Sequence, residues 1–375
     1  MHHIGARNGS RGVPIMSSLE HEFISVMYEA SADGNDQILN CGNRMGTSET
    51  ILVNACVGRP EEKRTFYLNL DPYTSSLLTL NPKYRNYYSH HKNYDYVLGK
   101  TISTHVEEVV KTESLDDLIS SRNLPQCDFL SLDTQGSELE ILQYAQRTIN
   151  GCVGLILEVS FVEIYHGQPL FGDVNKFLNK CGFQFIRFQG IEEFAPRELS
   201  EDFRGKKIQV QADAIYLKEP DWLSPSQVYP AVFAALAFGQ TEFAMHIYRS
   251  CKSRITKPPD SDWLKFCDEF LNQAGSLVNT RKTFGEQLSV DESFARFKDP
   301  DSAEFTVTDL RSFAIKIYRS LPENFQSVVL RIHRLYRKII GLRDNSIVEQ
   351  SKVEILYESI GNVEVCKSLK SKRDI

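Results

Sequence analysis

The sequence predicts an α/β fold: a mostly parallel sheet with crossover helices, closed by an antiparallel strand and followed by a helical C-terminal region. Three observations predict it. Short, continuous apolar runs recur through residues 1–218, as strands buried on both faces require. Helical patterns separate several of these runs, which is the signature of parallel strands joined by crossovers. After Glu219-Pro220-Asp221-Trp222 strand-like runs give way to helical spacing.

In chain order, residues 23–28, 51–55, 129–132 and 154–159 read as strands, with a very short strand stub before Gly5. Residues 137–146 and 174–180 read as helices, the second ending at Gly182 as a C-cap. Residues 183–188 and 209–217 are two strand-like runs without a helix between them, an antiparallel pair that closes the sheet. Beyond the break, residues 229–238, 241–254 and 263–273 read as helices, and a longer helical tail covers about 312–342. We therefore expect two domains, 1–218 and 221–375, which agrees with a length of 375 residues.

The net charge of −6 argues against a general nucleic-acid binder, which would be basic. The eight cysteines include no C-x-x-C pair, so neither a disulfide framework nor a zinc site is expected; reduced, mostly buried thiols fit instead. The N-terminal MHHIGARNGS carries no apolar signal-peptide core. No window approaches the roughly 18 apolar residues that span a bilayer. A cytoplasmic protein is expected. The first strand has almost nothing in front of it, which leaves room for an earlier start of the natural chain.

Three segments could carry chemistry. The first is the turn Gly5-Ala6-Arg7-Asn8-Gly9, where glycines permit a tight turn and close approach to a ligand. Its G-x-x-x-G spacing does not suit a dinucleotide pyrophosphate, which disfavours a nicotinamide-dependent oxidoreductase. The second is Glu29, followed by Ala30, at the end of the second strand. A carboxylate there can accept hydrogen bonds from ribose hydroxyls. The third is Leu132-Asp133-Thr134-Gln135-Gly136-Ser137-Glu138, in which a strand ends in Asp133, a glycine turn follows and a helix begins. Ligands of such sheets bind at the carboxyl ends of strands. Glu138 falls in the first helical turn, where the helix dipole favours it, and Glu158 ends the next strand.

This third segment, with Glu158-Val159-Ser160-Phe161, Tyr165, Gln168 and Leu170-Phe171 after it and Asn54-Ala55-Cys56-Val57-Gly58 before it, resembles the FkbM-type methyltransferases. Ser75-Ser76-Leu77 and Ser114-Leu115-Asp116-Asp117-Leu118 add to the likeness, which covers residues 3 to about 218. The resemblance implies a Rossmann-like methyltransferase fold, S-adenosylmethionine as cofactor, and O-methylation of a saccharide or other hydroxylated product, as in polysaccharide biosynthesis. The expected cofactor site is Gly5, Ala6, Gly9, Glu29, Ala30, Asn54 and Asp133. Three positions depart from the pattern: His3 stands where many methyltransferases have an acid, Ser131 where the family often has Lys, and Gln135 where Glu is common.

A sulfonium methyl is already activated, so the protein needs mainly to align the acceptor and to take its proton. Asp133 is the first candidate base, with Glu158 and His90 behind it and His91 and His166 as weaker options. No resident metal is expected; carboxylates Asp133, Glu138 and Glu158 could suit Mg²⁺ or Ca²⁺, but no ligand-spacing motif supports that. The Tyr-rich stretch 84–96 reads as a long surface loop packed by its tyrosines, with covering of the site as the alternative. Residues 328–340 form a basic amphipathic pattern, a core-packed helix or one that could lie on an anionic membrane, placing the protein at the inner membrane face. The acceptor is expected to be a small molecule or saccharide, and a homo-oligomer is an option. The rival from another class is a methyltransferase-like module retained for binding without catalysis.

Overall fold

A computed structural model describes residues 1–7, 24–31, 49–91, 93–201 and 204–255. All of them belong to one compact unit that is bounded at Cys267. The expected helices at 263–273 and 312–342, with the basic face at 328–340, lie outside the described residues.

The centre of the molecule is a mixed sheet. Its strands are β1 (His2–Ile4), β2 (Ile24–Glu29), β3 (Glu49–Asn54), β9 (Phe129–Leu132), β10 (Gly154–Ser160), β11 (Phe183–Pro196) and β12 (Ile208–Lys218). The order is β3-β2-β1-β9-β10-β12-β11. The first five are parallel. β12 runs antiparallel to both β10 and β11, with Glu158 opposite Asp213. This is the closing antiparallel pair that residues 183–217 predict, and the sheet as a whole is Rossmann-like.

One face of the sheet carries Ile4, Val26, Tyr28, Leu130, Leu132, Leu155 and Leu157, every second residue of its strands. They meet Leu115 and Leu118 of α2 (Leu115–Ser121), Ile141 and Leu142 of α3 (Glu138–Gln143), Ile149 of α4 (Gln146–Gly151), and Val174 and Leu178 of α5 (Phe171–Lys180). Fully burying one such leucine contributes roughly 1.5–3 kcal/mol, so this face is the core of the fold. α5 begins where the Asp173 carboxylate accepts the Leu170 amide at 3.1 Å and ends at Gly182, whose φ of +79° turns the chain.

Two further helices, α6 (Val228–Ala237) and α7 (Thr241–Cys251), belong to the same unit. α6 is apolar nearly all round and packs against β12; Phe238 just after it stacks on Phe129 of β9 at 5.4 Å. Gln227 donates to the Gly151 carbonyl at 2.7 Å and Arg254 to the Leu223 carbonyl at 3.0 Å. The boundary expected near residue 220 therefore falls inside the compact unit. A helix that is hydrophobic on all sides needs a sheet face to cover it, and this one uses the sheet of the catalytic fold.

The sequence reading missed an accessory layer. β4 (Cys56–Val57), β8 (Thr104–Glu113) and β5 (Glu61–Asn69) form a separate sheet in the order β4-β8-β5. β6 (Tyr87–His91) and β7 (Tyr94–Val97) make a hairpin that joins the far end of β11 through Ala195 and Pro196 and leads into the short α1 (Leu98–Thr101). The Tyr-rich stretch is thus a hairpin instead of a loop, with Tyr84 and Tyr88 buried. β8 is rich in charge and largely exposed, and β5 opens on the charged, exposed Glu61-Glu62-Lys63 and is mostly half-buried after it, so neither shows a long apolar run.

Candidate active site

A pocket opens at the carboxyl ends of β1, β2 and β9. Gly5, Arg7, Glu29, Ala30, Asp133, Thr134 and Gln135 line its floor and sides. Cys56, Phe66, Tyr73, Ser75 and Leu77 of the accessory layer complete it. Gly5 is fixed by two constraints. Its φ is +79°, and a Cβ would stand 1.8 Å from the Asp133 carbonyl oxygen, so only glycine lets the β1 loop cross the end of β9. The Gly5 amide donates to the Tyr28 carbonyl at 3.2 Å, and the Asp133 amide to the Ile4 carbonyl at 3.0 Å. The three strand ends are thereby tied together at the pocket.

Glu29 is 6% exposed. Its Oε1 accepts the Ser31 amide at 3.0 Å and the Ser31 hydroxyl at 2.9 Å, and lies 3.9 Å from Arg7 Nη2. Arg7 in turn donates to the Ser31 hydroxyl. These contacts orient the carboxylate and leave Oε2 without a donor among the described residues. A fixed carboxylate with a free oxygen in the pocket wall, beside the apolar and aromatic surface of Phe66, Tyr73 and Leu77, suits a ribose diol and a purine face.

The remaining expected cofactor residues are dispersed. Ala6 is fully buried against Met27 and Leu52 and does not line the pocket. Asn54 is exposed, with its carbonyl accepting from Arg122 at 3.4 Å; the pocket is lined by the next residues, Ala55 and Cys56, instead. Gly9 lies outside the described residues.

Asp133 lines the pocket, and behind it stretches a chain of side chains. The Gln135 amide donates to Asp133 Oδ1 at 2.9 Å and to Glu158 Oε2 at 3.1 Å. The Gln211 amide donates to Glu158 Oε1 at 2.8 Å and to Glu192 Oε2 at 3.2 Å. The Tyr165 hydroxyl lies 2.9 Å from both Gln135 Oε1 and the Thr74 carbonyl. This fixes the amide orientation, because Oε1 must face the phenol while the NH₂ faces the carboxyls. Gln135 itself has φ of +56°, and its carbonyl accepts the Ser76 hydroxyl at 2.8 Å.

The network holds more acid than it can neutralise. Among the described residues no Lys, Arg or His pairs with Asp133, Glu158, Glu192 or Asp213. Burial pushes the Asp133 and Glu192 carboxyls up, and burial followed by repulsion from Asp133, Glu138, Glu192 and Asp213 drives Glu158 well above the usual range. Asp213 is pushed up to about 7, by burial first and then by Asp133 and Glu192. Glu138 is different. Its carboxylate accepts the Thr134 amide at 2.8 Å, the Thr134 hydroxyl at 3.0 Å and the Gly136 amide at 3.0 Å, so it ties down the loop after β9. Among the described residues no three His, Cys, Asp or Glu side chains converge to hold a metal ion.

His90 is not brought to the pocket. It sits on the β6–β7 hairpin, 3.4 Å from Asp95 and 3.5 Å from Glu201, beside an Asp95 that Arg197 and Arg204 already hold. His91 stacks on Tyr94 at 5.0 Å, and His166 pairs with Glu163 at 3.5 Å; neither lines the pocket. The departures His3 and Ser131 prove to be neighbours: they face each other in register on β1 and β9, and His3 Nδ1 is 2.8 Å from Ser131 Oγ. A neutral pair thus occupies these two adjoining positions.

The mixed sheet is Rossmann-like, and the family match supports an S-adenosylmethionine-dependent methyltransferase. Residues 3–185 match the family model of the methyltransferase FkbM domain. Similar solved structures include a precorrin-6y C5,15-methyltransferase from Geobacter metallireducens GS-15, at 14% identity over 58% of this chain and 80% of that one, with a TM-score of 0.29. Another is magnesium protoporphyrin IX methyltransferase from Synechocystis PCC 6803 with bound SAM, at 11% identity over 58% and 69%, also with a TM-score of 0.29. No curated protein matches the chain. No helix among the described residues is long and apolar enough to cross a membrane.

Proposed function

We propose that the enzyme transfers the methyl group of S-adenosylmethionine to a hydroxyl of a saccharide or related polyhydroxylated compound. One observation carries the choice of oxygen: the pocket wall ends in Asp133, a carboxyl oriented by Gln135 and paired with no cation among the described residues. Such a group can take the proton of a hydroxyl as the new bond forms. The saccharide class rests on the family resemblance and on no single residue.

When bound, the cofactor supplies a methyl group activated by the sulfonium charge. Glu29 accepts the ribose hydroxyls, and Gly5 lets the backbone approach the ligand closely. Asp133 orients the acceptor and receives its proton. Glu158 stands behind Asp133 through Gln135 and does not reach the pocket, so its part is to set the charge of Asp133.

The test is incubation with methyl-labelled cofactor and a panel of mono- and oligosaccharides, polyols and amines, followed by mass and NMR analysis of the product. A labelled methyl ether is expected. Transfer to nitrogen would overturn the choice of oxygen. Firm cofactor binding with no transfer to any member of the panel would favour the non-catalytic module.

A further inference from the structure

The cation-free carboxyl network lies against a pocket whose cofactor carries a positive sulfur, and its product loses that charge. The pocket itself is the independent indication of a ligand, since Asp133 and Gln135 line it together with Gly5 and Glu29. We propose that the network of Asp133, Gln135 and Glu158 releases a proton when the sulfonium binds and takes up the acceptor's proton as methyl transfer removes that charge. The inference rests on the assignment of this pocket to S-adenosylmethionine.

Among the described residues the charged groups of the network are acids, and Arg7, which lines the same pocket, lies against Glu29 at 3.9 Å. Asp133 ends β9, Glu138 begins α3, Glu158 lies on β10, Glu192 on β11 and Asp213 on β12. Tyr165 and Tyr96 complete the surroundings, both as phenols held neutral by burial. Burial and mutual repulsion favour a protonated network when the pocket is empty. An arriving cation reverses that balance, because an opposite charge nearby favours the ionised carboxyl. Gln135 makes the coupling specific, donating one amide hydrogen to Asp133 and the other to Glu158. A charge felt at one carboxyl is thereby shared with its partner.

The balance of the step is simple. The carbon–sulfur bond breaks and its electron pair stays on sulfur, which becomes a neutral thioether. The carbon–oxygen bond forms as the oxygen–hydrogen bond breaks, and the proton passes to the Asp133–Glu158 pair. The site begins with a cation facing an anionic pair and ends with a neutral sulfur facing a protonated one. No excess charge is left buried when the product departs.

The test needs no acceptor. Calorimetric titration of the full chain with S-adenosylmethionine and with S-adenosylhomocysteine, each in buffers of different ionisation enthalpy between pH 6 and 8, gives the protons released per ligand. The sulfonium ligand is expected to release up to about one proton more than the thioether, and Glu158→Gln to shrink that difference while S-adenosylhomocysteine affinity is kept. Equal proton counts for the two ligands in the unaltered protein would overturn the inference while leaving the cofactor assignment intact, and this comparison stands even if the variant does not fold. A folded Glu158→Gln protein with the full difference would remove the network as its source. Failure of both ligands to bind would overturn the cofactor assignment and this inference with it.

Discussion

Glu29 and Glu158 both stand at the carboxyl ends of parallel strands, yet they are set in opposite surroundings. Glu29 accepts two hydrogen bonds from Ser31 and lies 3.9 Å from the Arg7 guanidinium. Among the described residues Glu158 accepts only from the neutral amides of Gln135 and Gln211, and it is repelled by four neighbouring acids. The first arrangement preorganises an anion for hydrogen bonding at little electrostatic cost. The second places acids with raised proton affinity beside the pocket, as the proposed proton exchange requires. Two carboxylates that look alike in sequence therefore do different work, and their surroundings decide which.

The sharpest way to break this comparison is to remove the junction both halves share. Gly5→Ala places a methyl within 1.8 Å of the Asp133 carbonyl at a φ of +79°. The left-handed conformation alone costs about 1–3 kcal/mol, and the overlap must also displace the end of β9. We expect loss of cofactor binding, checked by calorimetry, together with a lower melting temperature. A variant that binds normally would show that the two strand ends are not coupled.

The two sides should then separate by readout. Asp133→Asn keeps a hydrogen-bonding group but no base, so turnover should fall roughly 10²–10⁴-fold with little change in affinity for the neutral S-adenosylhomocysteine. This is measured with the labelled-methyl assay on whichever acceptor the panel identifies. Glu29→Ala should do the reverse. Loss of hydrogen bonds to a charged group is worth about 1.5–3 kcal/mol, so affinity should weaken roughly 10- to 100-fold, read by titration with S-adenosylhomocysteine. If both variants changed the same quantity, the division of labour drawn here would fail.

Much of this arrangement was legible in the sequence, for reasons that differ by region. The central strands are buried on both faces and show as apolar runs, so β2, β9, β10 and the antiparallel β12 fall close to their expected places. Gly5, Glu29 and Asp133 were legible because strand ends gather ligands in such sheets. Gln135 was visible only as a departure from a pattern; its bridging role depends on Glu158, 23 residues away. The charged accessory strands left no periodic trace, so Phe66 and Tyr73 were missed. His90 misled because histidine chemistry suits catalysis while its address depends on a hairpin that the sequence read as a loop. Ala6 and Asn54 were named from neighbouring motif residues; Ala6 packs into the interior against Met27 and Leu52, and Asn54 is exposed.

The smallest expected effect concerns stability, and here the two regions should differ in sign. Burial lowers His2 and His3 of β1 from 6.5 to about 4. The unfolded chain therefore takes up protons first as pH falls, so their contribution is full above 6.5 and is lost between 6.5 and 4. Asp213 is raised from 3.8 to about 7. There the folded chain holds the proton, so the contribution of this group to stability grows as pH falls from about 8 toward 4. Asp213→Asn mimics the protonated form at every pH. It should stabilise the protein at pH 8 by on the order of 1–3 kcal/mol and have almost no effect once the pH is well below 3.8, where the wild-type carboxyl is protonated in both states. Chemical denaturation at the two pH values measures the difference directly. A uniform gain across pH would trace to packing and leave the charge of the network irrelevant to stability. A loss at pH 8 would mean that the ionised carboxylate has a stabilising partner, and that the network is less short of positive charge than its geometry implies.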